Sequence, residues 1–99
     1  MEKVLLINTA DRQETVVGLR IGGKTDFLKG KRISSQILLP LIEKILKNHH
    51  LTLQDLTTIE VNLGPGSFTG LRVGVAVANA LGWALQIPVN GKRKIISPV

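Results

Sequence analysis

The chain has 99 residues, of which 43% are hydrophobic, with no cysteine and 13 Lys and Arg against seven Asp and Glu, a net charge of +6. That length supports one domain around one core, and the missing thiols exclude disulfides, thiolate metal sites and cysteine nucleophiles. With two Phe, one Trp and no Tyr there is no platform for stacking successive bases, so the basic excess reads first as a solvated face and the apolar surplus as surface for a partner.

Lys3 to Ile7 is a continuous apolar run of strand length, which predicts a first strand covered on both faces. It is too short for a secretion signal, and Asn8 interrupts it. Asn8-Thr9-Ala10-Asp11 turns the chain. Glu14 to Ile21 and Lys24 to Ile33 flank Gly22-Gly23, a two-residue hairpin signal. The charges of the third strand place it at an edge. They also gather Lys24, Lys29, Lys31 and Arg32 into a basic cluster, a second being Lys92-Arg93-Lys94.

Ser34 or Ser35 can cap a helix that runs to about Asn48. Its apolar residues, Ile37, Leu38, Leu39, Leu41, Ile42, Ile45 and Leu46, spread over roughly 200° at 100° per residue, about twice what one covered surface needs. Pro40 inside the pattern bends the helix or delays its start. His49 and His50 follow where a helix dipole favours positive charge; adjacent residues do not converge on a metal. Thr52 can cap a short turn, and Thr58 to Leu63 is a fourth strand.

Next comes Gly64-Pro65-Gly66-Ser67-Phe68-Thr69-Gly70-Leu71-Arg72, a glycine-lined turn between strand and helix. Ser67 or Thr69 can cap that helix. The stretch suits an anion cradle or a tight packing joint. The second helix, about Thr69 to Leu85, carries Gly70, Gly74, Ala78 and Gly82 at a spacing of four. A mid-helix glycine costs about 0.5–1 kcal/mol relative to alanine, so this stripe implies close approach of another backbone. Arg72, Asn79 and Gln86 form a narrow polar side. The uncharged run from Val73 to Gly91 invites a membrane reading, but Asn79, Gln86, Pro88 and Asn90 weaken it, and a buried helix is expected instead. Ile87-Pro88-Val89 starts a fifth strand, and residues 92–99 form a loose basic tail. The order β-β-β-α-β-α-β predicts an α/β fold with a mixed five-stranded sheet and two main helices.

Gly64 to Gly74, with Ala76, Ala78, Leu81, Ala84 and Ile87-Pro88-Val89, resembles the TsaB (YeaZ) family. Leu5-Leu6-Ile7-Asn8-Thr9 and Ser35-Gln36-Ile37-Leu38-Leu39-Pro40 add to the likeness, which covers about residues 3 to 91. The resemblance implies a single actin-like, sugar-kinase-type (ASKHA) lobe over residues 1–91 in a cytoplasmic protein of tRNA threonylcarbamoyladenosine modification. It also implies a dimerisation subunit without cofactor or catalytic residues. Its partners would be a TsaD-like catalytic subunit and a TsaE-like ATPase, with a homodimer through the same helices when alone and tRNA met only through the complex. Leu38, Leu39, Ile42, Gly74, Ala78 and Gly82 are the residues expected at that interface. Gly64, Pro65, Gly66, Ser67, Thr69, Gly70 and Arg72 would set the angle of the second helix. Two features depart from the family pattern: Asn8 stands where an aspartate is usual, and the sequence holds the first of two lobes. The readings kept beside this one are a phosphate-binding lobe using Gly64 to Thr69 and a tRNA-binding module using Lys24 to Arg32.

Overall fold

The structure, a computed structural model, describes residues 1–31 and 34–93. Strands β1 (Lys3–Asn8), β2 (Thr15–Ile21) and β3 (Lys24–Gly30) precede helix α1 (Ser35–Asn48). A single 3-10 turn (Leu53–Asp55), strand β4 (Thr58–Val61) and helix α2 (Phe68–Leu85) follow. The strands form one mixed sheet in the order β3-β2-β1-β4, antiparallel across the first three and parallel between β1 and β4. Gly22 and Gly23, at φ 56° and 85°, close the β2–β3 hairpin with Ile21 opposite Lys24, a left-handed pair whose twist matches the strands.

Alternation along the strands puts Leu5, Ile7, Val17, Leu19, Ile59 and Val61 on one face, where they join Leu38, Ile42 and Ile45 of α1 and Val75 and Ala78 of α2 in one buried cluster. Each fully buried Leu, Ile or Val contributes on the order of 1.5–3 kcal/mol. Both helices lie on that face, so β1 is covered by helices on one side only. On its other side Val4 is buried, Leu6 and Val16 are half-buried and Phe27 is 54% exposed.

The Ser34 carbonyl starts α1, accepting from Ile37 N at 3.1 Å and Leu38 N at 2.9 Å, but its hydroxyl makes no cap bond. The wide apolar arc of α1 is used inside the chain. Leu38, Ile42 and Ile45 face the core, and Ile37 and Leu41 fill the space beside Gly30. Pro40 sits within the helix, where it removes one ladder donor on the exposed side. Thr52 and Asp55 form a capping box, Thr52 N donating to Asp55 Oδ2 at 2.8 Å.

The described sheet has four strands where the sequence predicts five. Val89 makes a single parallel bridge to Ile59, and then Asn90 and Gly91, at φ 51° and 77°, turn the chain back. Val89 N donates to Lys92 O at 2.8 Å and Lys92 N to Val89 O at 3.0 Å: an Asn-Gly hairpin turn. The Asn90 side chain continues the pairing in place of a backbone, accepting from Val61 N at 2.8 Å and donating to Val61 O at 3.0 Å. Lys92 and Arg93, expected to open a loose tail, are thereby tied down. Residues 94–99, with Lys94 of the second basic cluster, lie outside the described residues, as do Arg32 and Ile33.

Candidate interaction face and its supporting loop

The glycine loop is a packing joint built on the end of β1. Asn8 Oδ1 accepts from Ala10 N and from Asn62 Nδ2, both at 3.1 Å, and Asn62 Oδ1 accepts from Gly64 N at 3.0 Å. Asn8 thus organises two loops, work that an amide acceptor performs without charge. Gly64-Pro65 is a cis bond. Gly66 lies so close to Ala10 that a Cβ would stand 2.6 Å from the Ala10 Cβ, and Ser67 N donates to Ala10 O at 2.7 Å. Ser67, not Thr69, caps α2: its Oγ accepts from Gly70 N at 3.3 Å. The N–H groups of Gly64, Ser67 and Gly70 are all engaged inside the chain, as a packing joint requires.

The stripe of small residues faces inward. Gly70, Gly74, Ala78 and Gly82 are buried. Thr9 Oγ1 donates to Gly70 O at 2.6 Å, and a Cβ on Gly74 would overlap that hydroxyl. Gly82 meets the Val89 side chain, with Ile87 O 3.2 Å from where its Cβ would be. The close backbone approach that the glycines require is therefore to this lobe's own sheet and to the Ile87–Val89 segment. Leu38, Ile42 and Ala78 are 0%, 1% and 0% exposed within the lobe. Of the six residues expected at an interface, Leu39 alone is open, at 42%.

The outward face of α2 consists of Phe68, Thr69, Arg72, Ala76, Ala80, Trp83 and Ala84. Phe68 and Trp83 are 65% and 76% exposed, and Arg72 is the sole charge on the helix, its guanidinium 5.3 Å from the Phe68 ring centre. Among the described residues α2 is the one helix long and apolar enough to cross a membrane, yet one side of it packs on the sheet. Sequence reasoning missed this outer patch, although the signal was present. At 100° per residue, Phe68 and Trp83 project to the side marked polar by Arg72, Asn79 and Gln86.

No group of three or more His, Cys, Asp or Glu that could hold a metal occurs among the described residues. His49 Nε2 instead pairs with Asp26 Oδ2 of β3 at 3.1 Å, and His50 is exposed. Lys24, Lys29 and Lys31 lie along the exposed β3 edge.

Comparison with known proteins agrees with the architecture. The family model described as TsaD: tRNA N6-adenosine threonylcarbamoyltransferase matches residues 29–93. The tRNA threonylcarbamoyladenosine biosynthesis protein TsaB of Haemophilus influenzae is 34% identical over 87 residues, 87% of this chain and 37% of that protein. The chain belongs to the TsaB (YeaZ) family. TsaB of Bacillus subtilis is 40% identical over 60 residues, 61% of this chain and 26% of its own. YeaZ from Pseudomonas aeruginosa superposes with a TM-score of 0.82 at 30% identity, over 90% of this chain and 42% of that one. A second solved structure carries the description of an uncharacterized protein with similarity to peptidase YEAZ. The chain thus spans between 26% and 42% of the length of these TsaB and YeaZ relatives.

Proposed function

We propose that this lobe is a non-catalytic docking subunit in the formation of tRNA threonylcarbamoyladenosine, binding a TsaD-like catalytic subunit through the outward face of α2. The observation that carries the reading is the pairing of Phe68 and Trp83, 65% and 76% exposed, on a helix with one charge. Ala76 and Ala80 between the rings let another helix approach closely. A helix that sits on a core and shows large side chains outward has apolar area to cover. Leu39 of α1, on the exposed side of its own helix, is the one residue expected at an interface that stays open to a partner. The buried glycines act indirectly, by setting how deeply α2 sits. A TsaE-like ATPase joins the pair, tRNA is met through the assembly, a homodimer through the same face forms in the partner's absence, and the setting is the cytoplasm.

The test uses the TsaD-like protein of the same host and sedimentation velocity. Ala76→Asp with Ala80→Asp is expected to leave helicity and the urea midpoint unchanged and to abolish the complex. A double variant that still sediments with its partner overturns the reading.

A further inference from the structure

At the other end of α2 lies a cleft of about 250 Å³, lined by Asn79, Gly82, Trp83 and Gln86 of the helix, Ile87 and Val89 of the following segment, and Lys92 and Arg93 of the returning arm. The Asn90-Gly91 turn makes it, by returning Lys92 and Arg93 to the end of α2. We propose that this cleft binds one phosphorylated nucleoside, either free or as an unstacked nucleotide of an RNA chain, with the base on Trp83 and the phosphate on Lys92 and Arg93.

Three observations carry this. The indole is 76% exposed, and every nucleobase has a face that stacks on such a ring. The helix end, which would repel an anion, is occupied by the chain's own donors. Gln86 Nε2 donates to Trp83 O at 2.7 Å, and Arg93 Nη1 donates to Gln86 O at 3.0 Å. That second bond uses one of the guanidinium's five N–H groups and holds the group at the rim of the cleft. Among the described residues no acidic side chain lines the cleft. Its volume is just below the usual range of small-molecule sites, which starts at about 300 Å³, so a single nucleotide would be held partly in the open and a length of peptide does not fit. A chain with three aromatics cannot stack successive bases, but one indole in a cationic cleft holds a single base. The cleft shares the Trp83 ring with the docking face, while its other lining residues lie outside that face and outside the glycine loop.

Trp83 is the one tryptophan of the chain, so its fluorescence reads the site directly. We expect 5′-AMP and the hexanucleotide rA6 to quench emission saturably. Adenosine and inorganic phosphate should each be at least tenfold weaker, and affinity should fall as salt rises. Equal affinity for AMP and for each rA6 site indicates the free nucleotide, and markedly tighter rA6 indicates RNA; either supports the cleft. Lys92→Glu, at an exposed side chain, should weaken AMP at least tenfold with an unchanged urea midpoint, and Lys92→Ala with Arg93→Ala should abolish quenching. Unaltered emission at millimolar AMP and rA6, quenching that survives in the double variant, or equal competition by a hexaglutamate peptide each overturns the proposal.

Discussion

The Thr9 hydroxyl donates 2.6 Å to the carbonyl of Gly70 and, one turn further along α2, occupies the space that a side chain at Gly74 would need. One buried group thus fixes both the height of the helix over β1 and the absence of a side chain opposite. Gly74→Ala should cost about 1–3 kcal/mol from overpacking, and Thr9→Ala about 0.5–1.5 kcal/mol from the lost hydrogen bond to Gly70. The double variant should be more stable than the sum of the two losses, since removing the hydroxyl makes room for the methyl. Urea denaturation of the four proteins measures the coupling, and strict additivity would show that the two residues do not meet.

Asn90 replaces strand pairing with a side chain, and its left-handed backbone, φ 51°, suits asparagine better than most residues. Asn90→Ala loses both bonds to Val61 and adds backbone strain, for an expected loss of about 1–3 kcal/mol. Asn90→Gly relieves the strain and should fall between the two in urea midpoint.

Exposure separates the two faces of α2. Trp83→Ala should change stability by less than about 0.5 kcal/mol, as at other open surface positions. Leu71→Ala, at 2% exposure, should cost about 2–5 kcal/mol. A Trp83→Ala variant that unfolds readily would mean that the ring packs against this lobe.

Arg20 Nη2 lies 2.7 Å from Glu60 Oε2 across the face of the sheet away from the helices. The hydrogen bond and charge of Glu60 raise the Arg20 pKa above its ordinary value. A raised folded value gives stability that is fully present below the unfolded pKa and lost only as pH climbs through the folded one. Arg20→Gln should therefore leave the shape of the stability profile between pH 6 and 9 unchanged. Its small effect should shrink further in 0.5 M salt; thermal melts across that range check both.

The first hairpin was legible because Gly22-Gly23 supplies the two positive φ angles that a two-residue turn requires, and α2 because an apolar 18-residue run has few other uses. The direction of the small-residue stripe was not legible. A spacing of four gives a line along a helix, but not whether Thr9 and Val89 or a second protein lies opposite. For the same reason Leu38 and Ile42, expected at an interface, belong instead to the core, where α1 packs on β2 and β3. The fifth strand failed at Asn90-Gly91, whose turn chemistry outweighs the extended preference of Ile87-Pro88-Val89. That dipeptide was the available sign.

The outer border of β4 carries a consequence for solubility. Ile59 N donates to Pro88 O at 3.0 Å and Ile59 O accepts from Asn90 N at 2.8 Å, while the Asn90 amide takes both polar groups of Val61. A passing extended chain finds those four groups already occupied, so this flank offers it no template to zip onto. A carboxamide serves as the bolt on a door through which so apolar a lobe could otherwise grow into a fibre.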